Sequence, residues 1–331
     1  MKKILITGAS GFIGGFLVKQ ALKQGFEVYA GVRESSDLSN LEDPRINFFK
    51  MYFASKHILK QSIISIGKFD YIIHNAGVTK TCNNKMFDVV NYKYTRNLIE
   101  ALYETNLIPK KFIYISSLAA FGPGTEKPIV PISNLSKPNP ISQYGISKLK
   151  AEEFIKSQRK FPYVILRPTG VYGPGEKDYL VMYKSINKGI ETYIGTKEQN
   201  ISFIYVKDLA KLVLNTLSSN IVKKSYFVSD LNSYTSIELN RIVKKELNKK
   251  TITLVFPVAL IKIIALLNEK ISCLLQKKPS TLNREKFKEI SQKNWLCDSN
   301  DLVVDFGFKP EYNLQTGIHE TIEWCKKENL L

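Results

Sequence analysis

Apolar residues recur along the chain in two rhythms. Short, nearly unbroken runs occur at Ile4–Ile6, Glu27–Val32, Ile46–Phe49, Tyr71–Ile73, Lys111–Ile115 and Tyr163–Leu166. Their length and content predict strands of a parallel sheet, buried on both faces. Between them the spacing changes to that of a helix, first at Phe12, Ile13, Phe16, Leu17, Ala21 and Leu22, and later over Asp88–Tyr103 and the stretch opened by Ser142. Gly25 closes the first helix, and Ser142 serves as the N-cap of the later one. The alternation predicts an α/β fold, a doubly wound parallel sheet with a smaller C-terminal substrate lobe. The boundary is placed between residues 1–168 and 169–331, with 201–229 returning to the sheet. In the lobe, Ile201–Val206 and Ser225–Val228 read as strands, and Ser236–Leu247 and Leu314–Lys327 as helices. Asp208 is expected to cap a helix running to Leu217.

The first strand runs into three glycines, Gly8, Gly11 and Gly14, and then directly into the first helix. A turn of this kind presents free backbone N–H groups at a helix N-terminus, where the helix dipole also favours negative charge. It suits a pyrophosphate, because glycine lets the backbone approach without a Cβ in the way. A turn without a ligand would carry the conformational cost of three glycines with nothing to offset it.

Tyr144 and Lys148 lie four apart after Ser142 and so share one helix face. Ser117 follows the fifth strand, at the sheet edge where open α/β folds place their sites. A free tyrosine, with a pKa of about 10, is a poor base near neutrality. A neighbouring ammonium favours the tyrosinate. The three residues therefore read as a proton-transfer site: Tyr144 moves the proton of a substrate hydroxyl, Ser117 holds that oxygen and Lys148 tunes Tyr144. Hydride would pass to or from a nicotinamide. At the end of the second strand an acid selects NAD and an arginine accommodates the 2′-phosphate of NADP. Arg33, followed by Ser35 and Ser36, stands there, which points to NADP, with NAD as the other option.

Composition narrows the partners. The formal charge is +18 over 331 residues, yet the lysines are scattered, with no run of five and no RNA-binding aromatic motif. Nucleic acid is not expected, whereas a positive field suits an anionic or amphipathic small-molecule substrate. Met1-Lys-Lys leads straight into the first strand, so no signal peptide is expected. Cys82, Cys273, Cys297 and Cys325 have no metal-ligand spacing and read as reduced thiols of a cytoplasmic protein. The apolar stretch Leu254–Leu275 is broken by Lys262, Glu269 and Lys270, too often for a membrane span. It is expected to pack in the lobe core, with an apolar substrate wall or a membrane-contacting face as the alternative. Trp295 and Cys297 suggest no site.

Thr7–Gly14, His74–Gly77, Ser117, Tyr144–Lys148, Arg167–Gly175 and Tyr205–Leu209 recur in the order seen in the extended short-chain dehydrogenase/reductases, the NAD-dependent epimerase/dehydratase group, which the chain resembles over residues 3–245 at least. The resemblance implies a Rossmann-type sheet, an NAD(P)-dependent oxidoreductase or epimerase, and a homodimer. It implies cofactor contacts from Gly8, Ser10, Gly11, Phe12, Ile13, Gly14, Arg33, Ala76, Gly77, Tyr144, Lys148, Pro168 and Val171. Asn91, in an Asn91/Thr95/Asn97 helix motif, would support a proton-relay water, adding it to Ser117, Tyr144 and Lys148 as a catalytic residue. Where the family's adenine-binding aspartate is usual, Tyr52 stands instead. His74 is expected to be structural. The dehydratases of the family carry an Asp-Glu pair after the catalytic hydroxyl residue. Leu118 and Ala119 occupy those places, so dehydration is not expected. Phe121 replaces a usual tyrosine. A Pro-rich excursion, Pro123–Pro140, is expected near the site mouth. Lys184, Lys188 and Lys197 are candidates to hold a substrate diphosphate. A non-catalytic NAD(P)-binding regulator or redox sensor is the rival reading, disfavoured because Tyr144 and Lys148 are both present.

Overall fold

The computed structural model describes residues 1–195, 198–275 and 280–331. Seven parallel strands form the central sheet: β1 (Lys3–Thr7), β2 (Glu27–Val32), β3 (Asn47–Lys50), β4 (Tyr71–His74), β5 (Lys111–Ile115), β6 (Tyr163–Pro168) and, far along the chain, β11 (Lys224–Val228). Their spatial order is β11-β6-β5-β4-β1-β2-β3. The winding reverses between β1 and β4, which opens a crevice at their C-terminal ends.

Successive residues of each strand feed opposite cores. Ile4, Ile6, Ile73, Ile113, Val164 and Leu166 pack on one face with α1 (Phe12–Lys23) and a later helix, α7 (Val206–Thr216). Leu5, Ile72, Phe112 and Ile165 pack on the other with α2 (Lys56–Ile66), α4 (Tyr94–Glu104) and α5 (Gln143–Ser157). A short α3 (Lys85–Phe87) and a π-helical turn, Asp88–Lys93, lead into α4.

The rest of the chain forms a lobe over the C-terminal strand ends. It contains β7 (Gly170–Tyr172), α6 (Asp178–Asn187), β8 (Ile190–Ile194), β9 (Asn200–Ile201), β10 (Phe203–Tyr205), β12 (Tyr234–Thr235), α8 (Ser236–Leu247), β13 (Ile252–Phe256), α9 (Val258–Leu274), α10 (Arg284–Ile290), β14 (Asn294–Trp295) and α12 (Leu314–Lys327). By contrast, α11 (Asn300–Phe306) returns to the sheet, with Leu302 in its core and Asp305 bonded to Lys224 and Tyr226 of β11. Its core is aromatic, with Tyr172, Tyr183, Phe203, Tyr205 and Tyr234 packed against Ile318 and Ile322 of α12. Gly317 is required there, since a Cβ would lie 2.3 Å from the Tyr172 hydroxyl.

Several expectations need correction. The run 201–206 is not one strand: β9 pairs with β12 and β14, whereas β10 pairs with β7, and α7 begins at Val206. Asp208 does not cap its own helix. Its carboxylate accepts from the backbone N–H groups of Glu311 (3.1 Å) and Tyr312 (2.9 Å), tying the segment before α12 to α7. The Pro-rich excursion contributes no lining residue of its own but lies against the 294–298 segment, which includes the cleft residue Trp295, with Gly124 and Ile132 donating to the carbonyls of Asn294 and Leu296. Leu254–Leu275 is not lobe core. It splits into β13 and α9, and α9 buries only Ile261 and Ala265.

Candidate active site

The cleft between sheet and lobe encloses about 1660 Å³. At one end lies the turn after β1. Gly8 has a positive φ of 65°, and a Cβ there would sit 2.8 Å from the Ala76 Cα. Gly8, Ser10, Gly11, Phe12 and Ile13 line the cleft, but Gly14 does not. Gly14 is buried beneath the turn, where a Cβ would fall 2.1 Å from the Gly8 carbonyl oxygen. The glycines thus have separate tasks, Gly8 and Gly11 forming the surface and Gly14 bringing the helix close beneath it.

At the same end, Arg33 and Ser36 line the cleft. The Ser36 hydroxyl accepts from the Arg33 N–H (2.9 Å), which folds the loop on itself. Asp37 also lines this end, a carboxylate four residues beyond Arg33. Tyr52 is exposed and faces away; Phe53 lines the cleft instead, stacked on Tyr94 with ring centroids 5.8 Å apart.

The cleft floor rests on a buried hydrogen-bond relay. His74 lies between the hydroxyls of Thr7 (2.8 Å) and Thr95 (3.0 Å), and Thr95 donates to the Asn91 carbonyl (2.8 Å). Burial holds the His74 pKa down to about 3, with the Lys148 charge adding to the effect. Histidine is therefore neutral here and knits β1, β4 and α4 together, a structural role. Asn91 sits in the π-helical turn. Its side chain accepts from the Val78 N–H (2.8 Å), and donates to the Val78 carbonyl (3.0 Å) and the Ser147 hydroxyl (2.9 Å). It joins the loop after β4, where Ala76 and Gly77 line the cleft, to α5. Asn97 is elsewhere engaged, donating to the Phe53 carbonyl at 2.8 Å.

Ser117, Tyr144 and Lys148 converge at the centre of the cleft. The Ser142 hydroxyl caps α5 by accepting from the Gly145 N–H at 3.1 Å. Gly145 lets α5 approach the loop after β5, since a Cβ would meet the Ala119 carbonyl at 2.2 Å. This close approach brings Tyr144 within hydrogen-bonding reach of Ser117. Burial pushes the Tyr144 hydroxyl above its usual pKa, the Ser117 bond pulls it back, and the Glu289 carboxylate pushes it up again. Lys148 is buried and donates to the Ile115 carbonyl at 2.8 Å, with its ammonium 4.9 Å from the Tyr114 ring centre. Burial lowers its pKa to about 8, against an opposing push from Glu152. Glu152 itself is fully buried, paired with Arg167 at 2.7 Å and accepting from Ser116 at 2.6 Å. Phe121 covers that pair, its ring 4.3 Å from the guanidinium.

Pro168, Thr169, Gly170 and Val171 lead the cleft into the lobe. Apolar walls there come from Met182, Tyr193, Ile201, Phe203, Leu239, Phe256, Ile261, Leu282 and Trp295. Trp295 is thus a cleft residue, contrary to expectation. Five carboxylates join them: Glu176, Asp178, Glu285, Glu289 and Glu320. Glu176 accepts from the N–H groups of Asp178 (2.8 Å) and Tyr179 (2.7 Å) at the start of α6, and Asp178 pairs with Lys80. Glu285 accepts from the Gln143 N–H, and Glu289 from the Ser142 hydroxyl at 2.8 Å. Nothing in the sequence pointed to these acids, because each is remote from Tyr144 along the chain. Lys184 and Lys188 do not line the cleft, and Lys197 lies outside the described residues. Among the described residues no group of three or more His, Cys, Asp or Glu side chains is arranged to hold a metal ion.

A parallel sheet that reverses its winding above a glycine turn, with a lobe closing over its strand ends, is the architecture of a dinucleotide-binding α/β protein. The chain belongs to the NAD dependent epimerase/dehydratase family, whose sequence model matches residues 4–228. It is 27% identical to a UDP-glucose 4-epimerase of Vibrio cholerae over 97% of this chain and 95% of that protein. It is 24% identical to a decarboxylating sterol-4-alpha-carboxylate 3-dehydrogenase of Candida albicans, covering 99% of each. The fold also matches the crystal structure of a dTDP-glucose 4,6-dehydratase from Bacillus anthracis in complex with NAD, with a TM-score of 0.79, 18% identity and full coverage of both chains.

Proposed function

We propose that the protein transfers hydride between a nicotinamide dinucleotide and a secondary alcohol or ketone, with net reduction or epimerisation as the outcome. The convergence of Ser117, Tyr144 and Lys148 at the centre of the cleft carries this reading. Tyr144 is the acid/base at the substrate oxygen, Ser117 shares a hydrogen bond with that oxygen, and Lys148 is available to bond the cofactor ribose. Of these residues only Ser117 lowers the pKa of the Tyr144 hydroxyl in the structure, against burial and Glu289. Asn91 positions the loop after β4 against α5.

The residues fit a nicotinamide dinucleotide. The cradle at Gly8 and Gly11 keeps Cβ atoms out of the path of a pyrophosphate, and the Lys148 ammonium stands beside Gly77, where it can bond a ribose. When bound, the cofactor supplies or accepts the hydride. NADP is favoured by Arg33 and Ser36, with Asp37 narrowing the margin over NAD.

Dehydration is disfavoured, since Leu118 and Ala119 are buried apolar residues that move no proton. Glu289 acts on Tyr144 through its charge, but one of its oxygens is taken by Ser142. An apolar or amphipathic carbonyl compound suits the lobe better than a sugar diphosphate. Five carboxylates line that half of the cleft, and of the lysines there Lys80, Lys207 and Lys286 each lie within ion-pair distance of an acid, with Lys177 the exception. Tyr144→Phe tests the mechanism: cofactor binding is retained and turnover falls by about 10²–10⁴-fold. An active Tyr144→Phe enzyme would defeat it. For the substrate, NAD(P)H consumption with sterol-like or dihydroflavonol-like ketones is expected to exceed any conversion of UDP-glucose, and the reverse result would restore the sugar nucleotide.

A further inference from the structure

The outer face of α9 is the most conspicuous apolar surface left after the site is accounted for. Ile261 and Ala265 turn inward, and Ile261 with Phe256 lines the cleft. On the opposite side, Leu260, Ile263, Leu267, Ile271 and Leu274 are 42–84% exposed. Their spacing of three and four residues makes one continuous stripe along the helix. The preceding β13 adds exposed Ile252, Leu254 and Val255. Soluble monomers rarely leave so long an apolar row open to water.

Charge indicates what covers it. Lys262 and Lys270 are exposed on α9 to one side of the stripe, and Lys249 and Lys250 are exposed just before β13. The single acid of α9, Glu269, turns away to accept from the Arg284 N–H at 2.9 Å. We propose that this face seats the protein on an anionic lipid surface, with the stripe in the interfacial layer and the lysines at headgroup level. A second copy of the chain fits less well. A two-fold contact through this stripe would gather the lysines of both copies around one interface, on a chain that already carries +18. Nor does the helix cross the bilayer: among the described residues none is long and apolar enough to do so. The docking face is separate from the Tyr144 chemistry, so it stands or falls independently of the reaction proposed above.

Sedimentation of the purified full chain with sucrose-loaded vesicles tests it. The protein is expected to pellet with phosphatidylcholine vesicles containing about 30% phosphatidylglycerol, and much less with phosphatidylcholine alone. Ile263→Glu combined with Leu267→Glu should weaken pelleting by at least about tenfold, with thermal unfolding and dinucleotide affinity unchanged. Lys262→Glu with Lys270→Glu, which leaves the stripe intact, should abolish the preference for anionic vesicles. Absence of pelleting overturns the proposal, as does pelleting that ignores the acidic substitutions in the stripe. A solution dimer that dissociates on Ile263→Glu, without vesicle binding, would assign the face to a second copy instead.

Discussion

Glu289, on the lobe helix α10, accepts a hydrogen bond from the hydroxyl of Ser142, the residue that caps the helix carrying Tyr144 and Lys148. The lobe therefore holds the catalytic helix by its N-terminus, and places a negative charge within electrostatic reach of the Tyr144 hydroxyl. Removing that charge should make tyrosinate easier to form. In Glu289→Gln, the pH at which alcohol oxidation rises should move down by about half to one unit, the effect of one nearby charge in a partly solvated site. A pH–rate profile of kcat/KM decides it, and an unmoved profile would limit Glu289 to capping.

Lys148 supplies a second pH dependence. In the folded protein burial lowers its pKa from 10.5 to about 8. Between those values the unfolded chain binds the proton and the folded chain does not, so stability rises with pH from about 8 to about 10.5. Below pH 8 both states are protonated, and the contribution of this group no longer changes. Urea unfolding of the wild type and Lys148→Met across that range should show the rise in the first and its absence in the second.

The Glu152–Arg167 pair, both partners buried, predicts an asymmetric mutational response. Arg167→Met leaves the Glu152 carboxylate buried with only Ser116 and the more exposed Lys156 for company, and should cost about 3–5 kcal/mol. The double change to Glu152→Met and Arg167→Met should recover a large part of that loss. Denaturant midpoints of the three proteins measure it.

Gly14→Ala should be far more damaging than Gly11→Ala. The new Cβ would fall 2.1 Å from the Gly8 carbonyl in the first case, and meet nothing nearer than 3.3 Å in the second. Loss of NADH binding together with a lower Tm is expected for Gly14→Ala, and near-wild-type stability for Gly11→Ala.

Arg33→Ala separates the two cofactors. If the guanidinium meets a 2′-phosphate, NADPH affinity should fall by about ten- to a hundredfold, the worth of a charged hydrogen bond, with NADH affinity unchanged. Fluorescence titration with both nucleotides provides the comparison. Equal losses would return the choice to NAD.

The sheet was legible because strands buried on both faces leave no alternative to unbroken apolar runs, as at Ile4–Ile6 and Lys111–Ile115. The Tyr144/Lys148 pair was legible because four-residue spacing is local. Relationships between distant segments left no such trace. Nothing near Glu289 or Trp295 in the sequence indicates that α10 and β14 return to the cleft. Within 201–206, apolar content predicts extended chain but cannot show that Ile201 and Phe203 join different sheets. In α9, the apolar stretch suggests burial, but periodicity identifies a face without saying whether anything covers it. Asp208 shows a similar ambiguity: a helix-start aspartate can cap its own helix or reach a distant backbone, and here it reaches Glu311 and Tyr312.

The late entry of β11 into the sheet bears on how the protein is made. During vectorial synthesis β6 emerges long before its neighbour, and until Lys224–Val228 arrive its outer side is an open row of backbone donors and acceptors on a wholly buried strand. A ribosome paused within the first part of the lobe would display that edge to other nascent chains.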